Sequence, residues 1–538
     1  MSDRFRHLSA GKEVLPDETP PQLQGTSYKS GLLKSRLTVD EHDGSNGLKI
    51  RGEDMGIRAI SIGRNSLTIV ALGLLGACGG GSGGLSESLP DPSQMFSWTT
   101  EQKVIGFSHS SSLFSTEPIR KGSSTFPLNQ ASNDVKAIAS AVTYQYGTNS
   151  NGTPKTGNTI DDYMLDNKVT GLLVIKNGSI ALERYAMGIT DSTLWDGKSV
   201  SKSVTSTLMG AALKDGYITS LSDPIEKYIP ELIGSAYQGV TLRDMLRMSS
   251  GIAWNENELD PNADLPNLLK CMKTADSPTC TLNYMKARPR AIDPATGSPV
   301  QPGTVFLYST GEAYLSGLVV QRATGMSLAE YMEKRIWQPL GMEADGNWWT
   351  WNGTSTGGSG FNATLRDYGR FGQFILNNGV LPNGVQVLPD NWMRDATTWT
   401  SASAQPQYAD NGQYGYMWWF SPAYDDGLVG GTNNPDPIYV DIGAPLQNTN
   451  SPSGAVAVQS RPPVQGQPAS VSDWTFAAIG IYGQMIAINQ RENLVVVEFG
   501  VWDKPDPTCC TVSDSEYIAS DPYNEQSVFL NAMLRALH

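Results

Sequence analysis

The pattern of apolar and polar positions predicts two β-hairpins that lie far apart in the chain. Two apolar runs, Leu172–Lys176 and Ser179–Tyr185, flank Asn177-Gly178, a dipeptide that favours the tight turn between paired strands. Gln484–Asn489 and Leu494–Gly500 form a second such pair near the C-terminus. We expect both hairpins to join one sheet, built from the two ends of the chain.

Helical spacing of apolar residues predicts the elements around these hairpins. In Ser199–Leu213 the apolar side chains recur every three or four residues. Gly311–Thr324 and Leu328–Trp337 are further helix candidates, and Pro339 follows the second of them. Ser527–Leu537 predicts a closing helix. The predicted fold class is therefore α+β, an antiparallel sheet with a mostly helical region inserted.

A short apolar run near the N-terminus indicates export. Leu67–Ala77 holds eleven mostly apolar residues, too few to span a bilayer but typical of a signal peptide. Arg58 and Arg64 supply the positive region before it. The run ends in Leu75-Gly76-Ala77-Cys78, which resembles a bacterial lipobox, so Cys78 would carry a lipid anchor. The alternative is a buried helix with an incidental cysteine.

These signals divide the chain into segments. Residues 55–78 are predicted to be a lipoprotein signal peptide with Met55 as the true start, and residues 1–54 a non-native or disordered extension. Residues 79–95 would be a flexible linker and 96–538 the folded domain, with a long insertion at about 431–473. The expected location is the periplasmic side of the membrane or the cell surface. The residue directly after Cys78 is Gly79 rather than an acidic residue, and this favours the outer membrane.

Composition and charge narrow the class of protein. With 39% hydrophobic and 17% charged residues the chain is globular. A net charge of −14 argues against nucleic acid as a partner. Of the four histidines, only His109 lies within the predicted domain away from its end. This disfavours Ser-His-Asp and zinc hydrolases, and we predict neither a cofactor nor a metal.

The cysteines of the predicted domain leave the disulfide pattern open. Export makes disulfides possible, and four cysteines allow three connectivities. They are Cys271, Cys280, Cys509 and Cys510.

The candidate nucleophile is Ser199 in Ser199-Val200-Ser201-Lys202. If Ser199 begins the helix, Lys202 lies one turn further on the same face, where its neutral amine could take the hydroxyl proton. The pattern alone is weak, because Ser9-Ala10-Gly11-Lys12 matches it as well. Taken alone, Ser199 would be a helix cap and Lys202 a surface charge.

The context of Ser199 resembles a known superfamily. Trp195–Gly210 is similar to the nucleophile region of serine β-lactamases and penicillin-binding proteins, and within them to class C-like and 6-aminohexanoate-dimer (nylon oligomer) hydrolases. The resemblance covers roughly residues 160–538 and implies a β-lactamase/transpeptidase-like fold and an acyl-enzyme mechanism. Further segments follow in the family's order: Ser222–Leu232, Val240–Ile252, Pro302–Gly325, Gly357–Gly372 and Tyr414–Phe420.

The resemblance also implies roles for residues of two further motifs. Tyr308, in Tyr308-Ser309-Thr310, would share the general-base role with Lys202 and protonate the leaving group; Thr310 stands where the family usually has Asn. The third motif matches Ala478-Ile479-Gly480, which lacks the usual Lys or His on the edge strand. The N–H groups of Ser199 and Ile481 would form the oxyanion hole.

Two sets of side chains near these motifs remain unassigned. The aromatic residues would line an acyl pocket or pack in the core: Trp348, Trp349, Trp351, Trp418, Trp419 and Tyr482. The acidic residues lie where nylon-oligomer hydrolases carry an acid that meets the substrate amine, or simply form a solvated face: Glu256, Glu258, Asp260 and Asp264.

The predicted function is a serine hydrolase of small carboxylic esters or linear amides, 6-aminohexanoate-type oligomers included. The lipid at Cys78 would be its contact with the membrane. One alternative is a β-lactamase or D-amino-acid peptidase, which the absent third-motif cation disfavours. A non-catalytic surface binding protein on the same fold is the other alternative.

Overall fold

The computed structural model describes residues 88–148, 153–271, 274–294, 296–397, 414–420, 475–505 and 522–538. The chain from Leu85 to His538 forms one compact unit. The predicted extension, signal peptide and Cys78 lie outside the described residues, as do the insertion at 431–473 and the cysteines Cys509 and Cys510.

Strands are concentrated towards the two ends of the described chain. In chain order they are β1 (Thr116–Ile119), β2 (Asn129–Gln130), β3 (Tyr144–Thr148), β4 (Pro154–Asn158), β5 (Val169–Lys176), β6 (Ser179–Tyr185), β7 (Trp195–Asp196), β8 (Gly346–Trp351), β9 (Thr354–Ser355), β10 (Phe361–Ala363), β11 (Trp419–Phe420), β12 (Thr475–Gly480), β13 (Gln484–Asn489) and β14 (Leu494–Gly500).

Helices fill the region between the hairpins and flank it. The α-helices are α1 (Thr100–Ser108), α2 (Ser110–Leu113), α3 (Asn133–Ser140), α4 (Ile160–Asp166), α5 (Val200–Lys214), α6 (Leu242–Leu246), α7 (Asp264–Lys270), α8 (Ser277–Lys286), α9 (Thr310–Thr324), α10 (Leu328–Met332), α11 (Gln338–Leu340), α12 (Leu365–Leu376), α13 (Trp392–Ala396) and α14 (Pro522–Ala536). Short 3₁₀-helices span Pro92–Ser97, Ile225–Lys227 and Pro230–Leu232, and a π-helix spans Glu333–Trp337.

The large sheet is built from both chain ends, which confirms the predicted architecture. Its seven strands run in the order β11-β12-β13-β14-β5-β6-β2, and β14 pairs antiparallel with β5. The turn between β5 and β6 has positive φ at Asn177 (52°) and Gly178 (75°). A turn of this kind twists in the same sense as the strands it joins, and Asn-Gly adopts it at low cost.

Both faces of the large sheet are buried. Successive side chains of a strand point to opposite faces, and those of β14 divide accordingly. Val495 packs in the core that contains α5, α9 and α12, whereas Val496 packs in the core that contains α3, α4 and α14. Each fully buried valine contributes about 1.5–3 kcal/mol. The apolar run Leu494–Val497 of β14 is therefore that of a strand covered on both sides.

A second sheet lies outside the sequence-based prediction. Its strands run in the order β1-β8-β10-β7, with β9 paired to β8. β7 holds only two residues and leads directly into the turn before Ser199. This sheet therefore sets the position from which α5 begins.

Two boundaries and one strand position differ from the predicted ones. Pro92–Ser97 forms a 3₁₀-helix and Trp98 is 4% exposed, so folded structure begins inside the segment predicted as linker. The helix predicted over Leu328–Trp337 changes at Glu333 into a π-helix. The third-motif strand β12 is not the edge, because β11 pairs with it at Phe476 and Ala477.

Cys271 and Cys280 form a disulfide that joins the end of α7 to α8. No helix within the described ranges is long and apolar enough to cross a membrane. Nor does that part of the chain hold a group of three or more His, Cys, Asp or Glu side chains that could bind a metal ion.

Candidate active site

Ser199 lies at the first turn of α5, where its side chain is free for chemistry rather than capping. Its backbone is already helical (φ −69°, ψ −9°), and its hydroxyl makes no capping hydrogen bond. Instead the Lys202 Nζ donates to Ser199 Oγ at 2.8 Å. The helical spacing of the two residues thus produces the predicted contact.

Lys202 is a buried amine, so its alternative interpretation as a surface charge is wrong. The side chain is 1% exposed, and its Nζ also donates to the Gly358 carbonyl oxygen at 2.9 Å. Burial lowers the pKa of Lys202 to about 8, although the attraction of Glu256 and Glu258 raises it in part. With that pKa about a tenth of the lysine is neutral at pH 7, enough to serve as a base.

Tyr308 lies just before α9. Because α9 packs against α5, Tyr308 lies close to the Ser199–Lys202 pair. The Lys202 Nζ is 5.0 Å from the centre of the Tyr308 ring. The half-buried ring stacks on Trp419, with a centroid distance of 5.6 Å. Three of the four predicted site residues therefore lie within one cluster.

The third motif approaches Ser199 through a glycine. A Cβ added at Gly480 would lie 3.0 Å from the Ser199 amide nitrogen and 2.5 Å from the Gly197 carbonyl oxygen. The spacing to the Gly197 oxygen is too short for a side chain and the spacing to the Ser199 nitrogen is tight, so glycine lets β12 meet the start of α5. Ile481 follows directly and is half-buried. Ala478, where the family has a cation, is buried and uncharged.

Glu256 binds the residue that departs from the second motif. Its carboxylate accepts the backbone N–H of Thr310 at 2.9 Å, the Thr310 hydroxyl and the Trp254 Nε1–H. Burial raises the pKa of Glu256, while the nearby Lys202 lowers it. The sequence shows Glu256 only as one acid among four, because its partner Thr310 lies 54 residues away.

The other acids of that loop have different surroundings. Asp260 accepts the backbone N–H of Asn262 at 2.9 Å. Asp264 accepts the Tyr284 hydroxyl at 2.7 Å and pairs with Arg288. Asp260 thus stabilises the loop and Asp264 joins the start of α7 to the end of α8, whereas Glu256 and Glu258 act on Lys202.

Most of the aromatic candidates are core residues. Trp419 alone among them contacts Tyr308 in the described part of the chain. The others are at most 6% exposed: Trp348, Trp349, Trp351, Trp418 and Tyr482.

His109 is exposed and lies outside this cluster. It lines a cavity of about 870 Å³, together with residues such as Asn347 and Asn362. None of the four predicted site residues lines that cavity. Within the described residues, the group that contacts the Ser199 hydroxyl is therefore a lysine rather than a histidine.

Neutralising Glu256 is expected to shift the pH dependence of activity. The Glu256 carboxylate raises the pKa of Lys202, so Glu256→Gln lowers that pKa further. We expect the neutral amine to be the active form, so the rise of kcat/KM with pH should move to lower pH in the variant. The measurement is the kcat/KM profile between pH 5 and pH 10 for an ester substrate.

Asp260→Asn is the matched control, since Asp260 lies in the same loop but is not among the charges that act on Lys202. Its profile should coincide with that of the wild type. A Glu256→Gln profile that stayed in place, or moved to higher pH, would contradict the electrostatic role of Glu256.

The chain is similar in sequence to known hydrolases. The family model described as Beta-lactamase matches residues 158–499. The 6-aminohexanoate-dimer hydrolase of Paenarthrobacter ureafaciens is 25% identical over 345 residues, which cover 62% of this chain and 73% of that protein. A β-lactamase of Pseudomonas fluorescens is 27% identical over 194 residues, covering 34% of this chain and 48% of that protein.

A solved structure shows the same fold. It is named provisionally as a 6-aminohexanoate-dimer hydrolase from Bacillus anthracis and is 20% identical to this chain. The similarity covers 84% of this chain and 98% of that one, with a TM-score of 0.56. At this identity the match supports the α+β, β-lactamase/transpeptidase-like architecture.

Proposed function

The chain belongs to the Beta-lactamase family and is a serine hydrolase of that family, and from this premise we propose that it cleaves small carboxylic esters or linear amides, 6-aminohexanoate-type oligomers included. The observation that carries the proposal is the buried Lys202 amine at 2.8 Å from Ser199 Oγ. That pair joins a nucleophile to a base whose pKa burial lowers to about 8.

In the proposed mechanism the neutral Lys202 amine accepts the Ser199 hydroxyl proton while Oγ attacks the substrate carbonyl carbon. The N–H groups of Ser199 and Ile481 stabilise the negative charge that develops on the carbonyl oxygen. The Tyr308 hydroxyl donates a proton to the leaving alcohol or amine, and Lys202 returns one to Tyr308. Water then attacks the acyl-enzyme and releases the carboxylic acid.

The charges around Ser199 favour neutral or cationic substrates. Ala478 supplies no positive charge at the third motif, and Glu256 and Glu258 lie close enough to act on Lys202. A penicillin carries a carboxylate, which would meet these acids without a cation to bind it. An ester or a linear amide with a free amine has no such disadvantage.

Parallel kinetics on three substrates test the proposal. We expect the protein to turn over p-nitrophenyl butyrate or the linear 6-aminohexanoate dimer about 100-fold faster, in kcat/KM, than benzylpenicillin, which corresponds to about 2.7 kcal/mol of discrimination. Mass spectrometry of the quenched reaction should place the acyl group on the peptide that contains Ser199.

Two results would overturn the proposed function. Penicillin hydrolysis as fast as ester hydrolysis would show that the protein acts as a β-lactamase. A folded protein that neither turned over any of the three substrates nor reacted with a fluorophosphonate would be a binding protein.

We further propose that the protein is exported and lipid-anchored at Cys78. Besides the N-terminal sequence, the Cys271–Cys280 disulfide supports this location, because disulfides persist in oxidising compartments. Labelling with a radioactive fatty acid should occur in the wild type and be lost in Cys78→Ser. Unlabelled protein that retained residues 1–77 would contradict the anchor.

A further inference from the structure

The residue before the proposed nucleophile has an unusual backbone conformation. Lys198 lies at φ 49°, in the left-handed region that residues other than glycine, asparagine and aspartate seldom adopt. The peptide unit that joins Lys198 to Ser199 carries the Ser199 N–H, one of the two proposed oxyanion donors. The backbone conformation of Lys198 therefore sets the direction of that N–H.

One carboxylate holds both ends of Lys198. Asp196 Oδ1 accepts the Lys198 backbone N–H at 3.0 Å, and Asp196 Oδ2 accepts the Lys198 Nζ at 2.7 Å. The carbonyl oxygen of Lys198 accepts the Ser201 hydroxyl at 2.7 Å. The residue is thus bound at its amide, its side chain and its carbonyl, which stabilises a conformation that its own sterics disfavour.

The N-terminal segment covers this ion pair. Asp196 is 1% and Lys198 3% exposed. The Lys198 Nζ lies 4.0 Å from the centre of the Phe107 ring of α1 and 3.4 Å from the Met95 sulfur. Both residues precede position 158, where the family match begins. They keep water from the pair and so strengthen its attraction.

We propose that Asp196 and Lys198 are positioning residues that hold the Lys198–Ser199 peptide in the orientation that presents the Ser199 N–H to the substrate carbonyl oxygen, with α1 as their cover. The approach of Gly480 to that same nitrogen shows that the Ser199 N–H lies at the junction of the two motifs. The inference rests on the proposed function, since the N–H has this role only if Ser199 is acylated.

Two substitutions at Lys198 separate backbone positioning from simple packing. Lys198→Met keeps most of the side-chain volume but lacks the ion pair and resists the left-handed conformation. Lys198→Gly loses the side chain and adopts that conformation freely. We expect kcat for p-nitrophenyl butyrate to fall about 100-fold in Lys198→Met, comparable to the loss of one oxyanion donor. In Lys198→Gly the fall should be about tenfold or less, with KM nearly unchanged in both.

If Lys198 only packed, kcat would fall further in Lys198→Gly than in Lys198→Met, because glycine leaves the larger cavity. That result would overturn the inference. Asp196→Asn should lower kcat with little change in KM, and it keeps the test decisive if Lys198→Met fails to fold. Lys176→Met is the control, since Lys176 and Glu492 pair at 3.4 Å at the far end of the sheet. It should leave kcat unchanged.

The Ser199→Ala variant distinguishes failure of the proposed function from failure of the positioning role. If Ser199→Ala kept ester hydrolysis, the proposed function itself would fail. If Ser199→Ala were inactive while Lys198→Met and Asp196→Asn kept the wild-type kcat, only the positioning role would fail.

Discussion

Ser199→Ala is expected to lower kcat for ester hydrolysis by about 10⁴-fold or more. The variant lacks the oxygen that contacts the Lys202 amine and that we propose forms the acyl-enzyme. The oxyanion donors would remain, so a small residual rate is compatible with the mechanism. The measurement is initial-rate kinetics with p-nitrophenyl butyrate, together with fluorophosphonate labelling, which should disappear.

Ser206→Ala is the matched control for the nucleophile. Ser206 lies on the same helix, and its hydroxyl is buried without a hydrogen-bond partner in the described structure. Removing that oxygen should leave kcat and labelling at wild-type levels. If Ser199→Ala kept wild-type activity, as Ser206→Ala should, Ser199 would not be the nucleophile.

Lys202→Met is expected to lower kcat by about 10³–10⁴-fold, because the proton of Ser199 loses its acceptor. In the wild type the pKa of Lys202 is about 8, and the neutral form increases above it. Activity should therefore rise with pH through about 8 and become constant at higher pH. In Lys202→Met this rise should be absent from the remaining activity.

Lys202→Arg tests whether the amine acts as a base or only as a charge. The guanidinium remains protonated across the accessible pH range and cannot accept the proton. We expect Lys202→Arg to be as inactive as Lys202→Met. Substantial activity in the arginine variant would indicate that a positive charge beside Ser199 is sufficient, and the general-base role would then be wrong.

Local sequence signals predicted the hairpins and the main helices closely. The strands Gln484–Asn489 and Leu494–Gly500 have the predicted bounds, and α5 begins and ends one residue later than expected. Each of these elements depends on neighbouring residues, whose spacing is visible in the sequence. The second sheet was not predicted, because strands such as β7 are too short to show a period.

The sequence by itself determined the family, the order of the motifs and the one-turn spacing of Ser199 and Lys202. Only the tertiary structure decided which groups surround that pair, because they come from distant segments. The Gly358 carbonyl that binds Lys202 lies 156 residues away in the chain, and a backbone carbonyl leaves no signature in sequence. The lowered pKa of Lys202 likewise arises from burial, and burial exists only once α5, α9 and the large sheet have packed together and excluded water.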